Sequence, residues 1–421
     1  MKLQVSYIDI KNVIFGPKTT IENGILQINK EELISAINDP RFKSLEVNLA
    51  FPGESCRISR LGDVIQPTVK LDDEAATFPG SLGAMRQVGY GRTLKLRGVN
   101  VVETYDIAKP SSAILDMSGP GAEYTPFSKT INVVITSTPA EGVDKYNYVE
   151  ALKKASLTTA VYLAKAGKEC VPDEVEEFTL DRDNLNDADG NPLPRVVYIY
   201  QIFSHNRMVQ SLFYGDGAIS MLPTGVHPNE ILDGALVNAN YEQLQNGDAT
   251  SIVQNHPIIL ELYSRHGVDL NFAGVVLTNT PSSMVNKERN SLMAVKLAKY
   301  FLNADAVIIT KEGGGHPQVD VALICDKSEV LGIKTAIAVT EFFNTSGTSD
   351  EAMLVKTSNA TAIVSAGCLE TLSLPGMDRI IGGLTIPEIS TPLSEPCRTY
   401  NRNIRGCMSQ LCESYYTSKK Y

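Results

Sequence analysis

The segment FAGVVLTN, residues 272–279, decides the fold, because it is apolar at nearly every position and ends in a polar Thr-Asn pair. Strands that are apolar on both faces are typical of a parallel sheet that helices cover on each side. Similar runs occur before and after it in the chain: INVVITS (131–137), VVYIYQIFS (196–204), ADAVIITKE (304–312), KTAIAVTE (334–341) and ATAIVSAG (360–367).

The segments between these runs have the spacing of amphipathic helices. A helix over residues 145–166, which Gly167 can end, would carry on its apolar face Val149, Leu152, Ala155, Ala160 and Leu163. A second helix is predicted over residues 284–302. This alternation predicts an α/β fold with a doubly wound, mostly parallel sheet.

The first 128 residues have a different pattern, with short extended segments separated by Gly and Pro. The pair Asn23-Gly24 lies between two apolar runs and is typical of a type I′ hairpin, because both turn positions need a positive φ. Asn29 can cap a short helix that has Glu32 at its third position. We therefore predict a β-rich N-terminal domain over residues 1–128, an α/β domain over 129–386 and a polar C-terminal tail over 387–421.

Composition narrows the class of protein. The net charge of −10 comes from 48 acidic and 38 basic residues without a basic patch, which argues against nucleic acid or an anionic membrane as a partner. No apolar run approaches the roughly 18 residues that span a bilayer, and the N-terminus lacks the features of a signal peptide. We expect a cytoplasmic protein. Its seven cysteines, an odd number in a long chain, are expected to be free thiols.

The loop KEGGGHPQVD, residues 311–320, is the most suggestive candidate site. Gly313, Gly314 and Gly315 would let backbone N–H groups approach a carboxylate or a phosphate closely. The loop has neither the Walker nor the dinucleotide-binding spacing. Glu312, His316 and Asp320 are metal-ligand types, but a fourth ligand is missing and no metal is predicted. The alternative is a tight turn after a strand, with His316 exposed.

The cysteines near the C-terminus offer weaker signals. Cys368 directly follows a predicted strand and could be a reactive thiol, although buried cysteines without a function are commoner. Cys397, Cys407 and Cys412 lack the paired C-x2-C spacing of a zinc site. No local motif indicates a Ser-His-Asp arrangement. The roles of these four cysteines stay open.

Several long motifs occur together in a familiar order: IFGPKTTIENGILQINKEEL, FPGESCRI, DMSGPGAEYTPFSKTINVVI, YGDGAISMLPTGVHPNEILDGALV, LYSRHGVDLNFAGVVLTN, NKERNSLMAVKLAKYF and KEGGGHPQVD. With them the chain resembles the proprotein subunit of component B of the glycine/sarcosine/betaine reductases, a relative of the D-proline reductase proprotein. The resemblance extends from residue 1 to about residue 385. It implies a heteromeric complex that reductively cleaves a small amino-acid-like substrate at its α-carbon. A partner subunit would supply the attacking thiol or selenol.

In that family the proprotein is cut at an Asn-Cys or Thr-Cys bond, and the new N-terminal Cys becomes a pyruvoyl group. In LDGALVNANYEQL, residues 232–244, the same register falls on Asn240-Tyr241. Such cleavage needs a β-thiol or β-hydroxyl that attacks the preceding carbonyl, and a tyrosine phenol cannot reach it. Thr250 and Ser251 are ten residues away. We therefore expect an uncleaved chain without a pyruvoyl cofactor and with a degenerate processing site.

The resemblance also suggests where a substrate could bind. The candidates from GAEYTPFSKT are Glu123, Tyr124, Ser128 and Lys129, and those from the glycine loop are Glu312, Gly313, Gly314, Gly315 and His316. His316 stands where the reductases are expected to have Asn. The first motif could instead fix the junction between the two domains. For the whole chain, the alternatives to a reductase subunit are a non-catalytic scaffold and a repurposed complex that acts on a C–S or other bond.

Overall fold

The computed structural model describes residues 1–107, 110–180, 185–242, 248–341, 357 and 359–412. Its strands are β1 (Lys2–Asp9), β2 (Asn12–Phe15), β3 (Thr20–Glu22), β4 (Ile25–Ile28), β5 (Phe42–Ala50), β6 (Cys56–Ser59), β7 (Leu61–Ile65), β8 (Thr68–Lys70), β9 (Gly91–Arg97), β10 (Val99–Thr104), β11 (Ile114–Asp116), β12 (Ile131–Pro139), β13 (Glu174–Thr179), β14 (Arg195–Ile202), β15 (Ser204–Asn206), β16 (Val209–Phe213), β17 (Asp216–Gly217), β18 (Thr224–Val226), β19 (Leu236–Asn240), β20 (Asn271–Asn279), β21 (Ala306–Lys311), β22 (Lys334–Glu341), β23 (Ala362–Cys368), β24 (Thr371–Leu374), β25 (Arg379–Ile381) and β26 (Cys397–Tyr400).

The α-helices are α1 (Lys30–Ile37), α2 (Gly119–Glu123), α3 (Lys145–Lys165), α4 (Pro228–Leu232), α5 (Thr250–Gln254), α6 (Pro257–Arg265), α7 (Met284–Lys296) and α8 (Pro317–Val330). The predicted cap of α1 is confirmed, because the Asn29 side chain accepts a hydrogen bond from Glu32 N at 3.0 Å. None of the described helices is long and apolar enough to cross a membrane.

A six-stranded sheet with the order β18-β20-β14-β21-β22-β23 contains the segment 272–279 as most of β20. Five of its strands are parallel, and β18 pairs antiparallel with β20 at one edge. The runs at 196–204, 304–312, 334–341 and 360–367 supply the remaining parallel strands. The prediction of a mixed α/β fold is confirmed, whereas the doubly wound arrangement stays a prediction.

The two faces of this sheet are buried against different partners. Val197, Ile199, Val307 and Ile309 pack in one cluster with the apolar side chains of α7 and α8. The alternating residues, among them Tyr198 and Tyr200, belong to the main core with α6 and the N-terminal strands. Because successive side chains of a strand point to opposite faces, a continuous apolar run is required here.

The N-terminal strands form two four-stranded sheets, of order β13-β1-β9-β8 and β5-β12-β10-β7, and α3 packs on strands of both. The placement of INVVITS among the strands of the large parallel sheet was wrong. This run is β12, which pairs parallel with β10 and antiparallel with β5. A central strand is buried on both faces in either sheet, so its apolar run does not reveal which sheet it joins. The neighbours β10 and β12 stand on either side of the predicted boundary at 128/129.

The C-terminal segment, residues 371–412, is packed against the N-terminal half. Its buried side chains form a cluster with Ile114, and β25 pairs with β6. The guanidinium of Arg57 donates to the Asp116 carboxylate through two hydrogen bonds of 2.6 and 2.8 Å. It also donates to the carbonyls of Pro375 and Leu393 in the C-terminal segment. The part of the predicted polar tail that is described, residues 387–412, therefore belongs to the folded body.

The six cysteines whose side chains are described are free thiols, as predicted. Cys397 and Cys407 are buried in the C-terminal cluster, where Arg57 Nη1 also donates to Cys397 Sγ at 3.7 Å. Cys368 ends β23, but its side chain lies outside the described part of the structure.

Candidate functional site

The carboxyl ends of β14 and β21 meet at the switch point of the large sheet. Along the chain, the next strand of this sheet after β14 is β20, which lies on one side of β14, whereas β21 lies on the other side of β14 and leads on to β22. The connections therefore leave these two strand ends in opposite directions, and ligands bind beside such strand ends in open parallel sheets. We call the group Tyr200, His205, Lys287, Glu312 and His316 at this edge the switch-point site.

Glu312 is the buried acid of the switch-point site, with 1% of its surface exposed. Its carboxylate accepts hydrogen bonds from Tyr200 Oη at 2.5 Å, Phe203 N at 3.3 Å and Ser211 Oγ at 3.3 Å. Burial, together with the nearby negative charge of Asp248, raises the pKa of Glu312 to about 7. This carboxyl can therefore change its protonation state near neutral pH.

Lys311 precedes Glu312 on the strand and its side chain points to the opposite face. Its ammonium donates to the Gly313 carbonyl and lies 3.3 Å from Gln410 Oε1. Desolvation lowers the pKa of Lys311 to about 7. Two buried groups of opposite type thus titrate in the same range at the end of β21.

The glycine loop carries His316 to the surface, where it precedes the first turn of α8. Gly313 and Gly315 have φ values of 92° and 77°, which favour glycine. The His316 ring lies 4.5 Å from that of His205, and Lys287 Nζ lies 3.1 Å from His316 Nδ1. Burial lowers the pKa of His205 to about 4, and burial with the charge of Lys287 lowers that of His316. Both imidazoles are neutral at pH 7.

The predicted metal-ligand types do not converge. Glu312 is bonded to Tyr200 in the core, whereas Asp320 forms an ion pair with Lys287. Desolvation raises the pKa of Asp320 to about 6. Within the described ranges no group of three or more His, Cys, Asp and Glu side chains is placed to hold a metal ion.

The motif GAEYTPFSKT lies against the C-terminal segment. Ser128 is buried in its own turn, where its hydroxyl donates to the carbonyls of Ala122 and Thr125 at 2.5 and 2.9 Å. Tyr124 packs on the C-terminal cluster, whereas Glu123 and Lys129 are exposed. The binding roles of Glu123, Tyr124, Ser128 and Lys129 stay predictions.

Residues 405–410 connect this motif with the glycine loop, and sequence reasoning missed them. Thr125 Oγ1 donates to the Arg405 carbonyl at 2.6 Å, and Lys311 reaches Gln410. Gln410 N in turn donates to Asp248 at 3.1 Å. The two motifs are therefore linked through the C-terminal segment. Polar residues in an aperiodic tail gave no signal of this role.

The Asn240–Tyr241 peptide stands at the end of β19, which pairs with β16. Tyr241 N donates to the Met208 carbonyl at 2.7 Å, and the Tyr105 hydroxyl donates to the Tyr241 carbonyl. Asn240 N donates to Asn238 Oδ1 at 2.7 Å. The backbone on both sides of this bond is therefore held by hydrogen bonds.

The Tyr241 side chain is fully buried beside a charged cluster. Its ring meets that of Tyr105 edge to face at 5.4 Å, and Lys153 Nζ lies 5.4 Å above it. The same ammonium lies 2.8 Å from both Asp63 and Glu103. Lys153 lies next to the face of α3 that was predicted to be apolar, directly after Leu152. A charged residue beside an apolar helix face could have indicated this cluster from the sequence.

The candidate substitutes for a processing nucleophile are occupied by other contacts. The Thr250 hydroxyl donates to Asp63 and accepts from Asn238 N at 2.9 Å. Ser251 Oγ lies 3.4 Å from Asn100 Oδ1. The hydrogen bonds of these two hydroxyl groups among the described residues do not include one to the Asn240 carbonyl.

The mostly parallel sheet, with polar side chains at the carboxyl ends of β14 and β21, places the chain in the α/β class. Comparison with known proteins is more specific. Residues 1–396 match the family described as glycine/sarcosine/betaine reductase component B subunits, and the chain belongs to that family.

Three relatives share most of their length with this chain. It is 37% identical over 383 residues to the glycine reductase complex component B subunits alpha and beta of Acetoanaerobium sticklandii, which covers 91% of this chain and 89% of the relative. It is 39% identical over 391 residues to the sarcosine reductase complex component B subunit alpha of Peptoclostridium acidaminophilum, covering 92% and 91%. Identity to the betaine reductase complex component B subunit alpha of that organism is 31% over 396 residues, covering 91% and 88%. No solved structure matches.

Proposed function

We propose that this chain is the component-B-type subunit of a heteromeric reductase complex that cleaves an amino-acid-like substrate at its α-carbon. The observation that carries this proposal is the family match over residues 1–396, together with three relatives that are named as component B subunits of reductase complexes. In the proposed reaction a partner subunit supplies a thiolate or selenolate. Its attack on the α-carbon forms a C–S or C–Se bond, breaks the C–N bond and releases the amine with a proton.

The chain acts without cleavage and without a pyruvoyl group in this proposal. A pyruvoyl group forms when a β-heteroatom leaves, and the β-carbon of Tyr241 carries an aromatic ring instead. That ring is fixed by Tyr105 and by Lys153, and its hydroxyl donates to the Val149 carbonyl at 3.3 Å. The residues present therefore do not fit the cofactor, and no step is assigned to it.

The switch-point site supplies the groups that this chain could contribute. His316 is exposed at the strand ends, beside the buried ammonium of Lys287. A neutral imidazole there can accept the proton of the partner's thiol, and the imidazolium so formed can donate that proton to the leaving amine. Glu312 lies behind Phe203 and Ser211, so we assign it a positioning role.

Copurification tests the assembly. The full chain, expressed with a thiol- or selenol-bearing subunit of the same reductase family, should be recovered in one complex. A denaturing mass spectrum should show a single species of 45.8 kDa for this chain. Two fragments that split at 240/241 would contradict the uncleaved state. Recovery of this chain as an isolated, active monomer would contradict the complex.

Substitution in the reconstituted complex tests whether the chain takes part in the reaction. His316→Ala and Glu312→Gln should each lower turnover while the complex still assembles. Lys296→Gln, an exposed change on α7, is the matched control and should leave turnover unchanged. Full turnover in both site variants would mean that the chain acts only as a scaffold.

A further inference from the structure

The last strand of the large sheet, β23, is paired on one side. Among the described strands its partner is β22, in a register that places Ile337 beside Ile363 and Ala338 beside Val364. The opposite backbone edge of residues 362–364, which we call the β23 edge, faces no described strand. The N–H and C=O groups along such an edge can pair with a strand of another chain.

Apolar side chains are exposed on both faces of β23. Ile363 and Val364 point to opposite faces, because side chains alternate along a strand, yet Ile363 is 43% exposed and Val364 is 46% exposed. The neighbour of Ile363 on β22, Ile337, is buried in the cluster with α7 and α8. A helix laid on one face of the sheet would cover only one of the two exposed side chains. A strand added beside β23 would contact both of them.

An apolar groove of about 640 Å³ lies on the face of the sheet that carries Val364. Ile258 and Leu262 of α6 form one wall of this groove, and its floor includes Ala336 of β22 and Ala362 of β23. Ala362 and Val364 are on the same face, because they are two residues apart along the strand. The helix α6 therefore stops short of β23 and leaves the apolar surface of this strand accessible.

The segment around the β23 edge is uncharged. Residues 357–369, TSNATAIVSAGCL, contain neither acidic nor basic side chains. By contrast, β13 at the end of another sheet exposes Glu174, Glu176 and Glu177. Charges on an edge strand keep other chains from pairing with it. In a chain of net charge −10, a neutral edge is a place where two copies can approach with little repulsion.

The absence of charge from residues 357–369 favours a second copy of this chain over an unrelated partner. In a two-fold dimer the same surface meets itself, so each charge would lie opposite a like charge. A partner of different sequence could instead offer opposite charges and would not require a neutral edge. Two antiparallel strands related by a two-fold axis at Ile363 or Val364 are self-complementary in their backbone hydrogen bonds.

We propose that two copies of this chain pair antiparallel through the β23 edge and join their six-stranded sheets into one continuous sheet. Because the pairing is antiparallel, the carboxyl ends of the parallel strands lie at opposite ends of the joined sheet in the two copies. The two switch-point sites then face in opposite directions, and each stays open to its own partner subunit. The dimer uses no residue of the switch-point site and does not depend on the proposed function.

Sedimentation velocity of the full-length chain tests the dimer. Between about 1 and about 100 μM the mass should rise from 45.8 kDa to twice that value, because two strand edges form a small interface. Val364→Lys and Ile363→Lys should each weaken the dimer by about tenfold or more, since each change occurs twice and sets like charges against each other. Val175→Lys on β13 is the matched control, because Val175 is 44% exposed, and it should leave the dimer intact.

A mixture of oppositely charged variants gives a second readout. Ile363→Lys and Ile363→Glu should each be largely monomeric, whereas an equal mixture should dimerise, because opposite charges then meet across the axis. The proposal is overturned if the wild-type chain stays monomeric at about 100 μM, if both Lys variants dimerise like the control, or if the mixture stays monomeric. It is also overturned if Ile363→Lys abolishes copurification with the thiol- or selenol-bearing subunit and leaves self-association unchanged, which would assign the β23 edge to that partner.

Discussion

Glu312 is a buried carboxyl whose pKa of about 7 lies above the 4.5 of an unperturbed glutamate. The folded state therefore holds this proton more tightly than the unfolded state does. Unfolding releases the proton between these two pH values, so the contribution of Glu312 to stability falls as the pH rises through this window. The shift corresponds to about 3 kcal/mol in the free energy of unfolding.

Glu312→Gln should remove this dependence. Gln can still bond to Tyr200 and to Phe203 N, but it does not titrate. Relative to wild type, the variant should gain up to about 3 kcal/mol between pH 4.5 and pH 7.5, as measured by urea unfolding at several pH values. Glu141→Gln, an exposed change, should follow the wild-type curve. Parallel curves for Glu312→Gln and wild type would show that Glu312 does not titrate in this range.

At the scale of single residues, sequence reasoning found Glu312 and His316 by their place after an apolar strand. It could not give the burial of Glu312, which depends on Ser211 and Phe203 from other parts of the chain. The same limit applies to Tyr241. Its register was available from the resemblance, whereas its contacts with Lys153 and Tyr105 need three distant segments to meet.

The C-terminal segment depends on one buried ion pair. Arg57 and Asp116 have no exposed surface, and the same guanidinium donates to the Leu393 carbonyl at 2.8 Å. Removing one partner of a buried pair leaves the other charge uncompensated, at a cost of about 3–5 kcal/mol. Arg57→Met should lower the free energy of unfolding by this amount and should make residues 371–412 more sensitive to limited proteolysis.

Arg92→Met is the matched control for this change. Arg92 also holds an aspartate, Asp72, at 2.8 Å, but both side chains are about half exposed. Water screens such a pair, so the loss should be about 0–1 kcal/mol without new proteolytic sites. An equal loss in both variants would mean that the Arg57 pair is no more important than a surface contact.

The positions of strands and helices were predicted better than the pairing of strands within the sheets. The apolar runs at 196–204, 272–279 and 304–312 are strands of one parallel sheet, and the helix predicted at 145–166 is α3. The run at 131–137 is also a strand, yet it lies in another sheet. Periodicity reports how many faces of a strand are buried, whereas pairing depends on contacts far along the chain.

At the scale of the whole molecule, the C-terminal segment supplies a cation to a buried acidic region. Arg405 Nη2 lies 3.9 Å from Asp63, and the charges of Asp248, Glu103 and Glu312 also act on its guanidinium. Burial lowers the pKa of Arg405. The position of residue 405 beside residue 63 could not be predicted, because nothing local distinguishes a buried arginine from an exposed one.

Arg405→Met should therefore destabilise the protein more at high pH than at low pH. Without the cation, the ionised carboxylates that face residue 405 lose its attraction, and Lys153 remains as the counter-charge of Asp63 and Glu103. Protonation at low pH relieves this loss. We expect a decrease of about 3–5 kcal/mol in the free energy of unfolding at pH 8 and a smaller decrease at pH 5. Urea unfolding at both pH values measures the difference.

Arg402→Met separates this effect from a general weakening of the C-terminal segment. Arg402 is partly exposed, pairs with Glu388 at 3.5 Å and stacks on the Tyr400 ring. Arg402→Met should lower the free energy of unfolding only slightly, because the ion pair is partly hydrated. The decrease should be nearly the same at pH 5 and pH 8. A pH-independent loss in Arg405→Met would show that Arg405 stabilises the molecule by packing. A loss that grows with pH only in that variant would show that the C-terminal segment is held in place by charge.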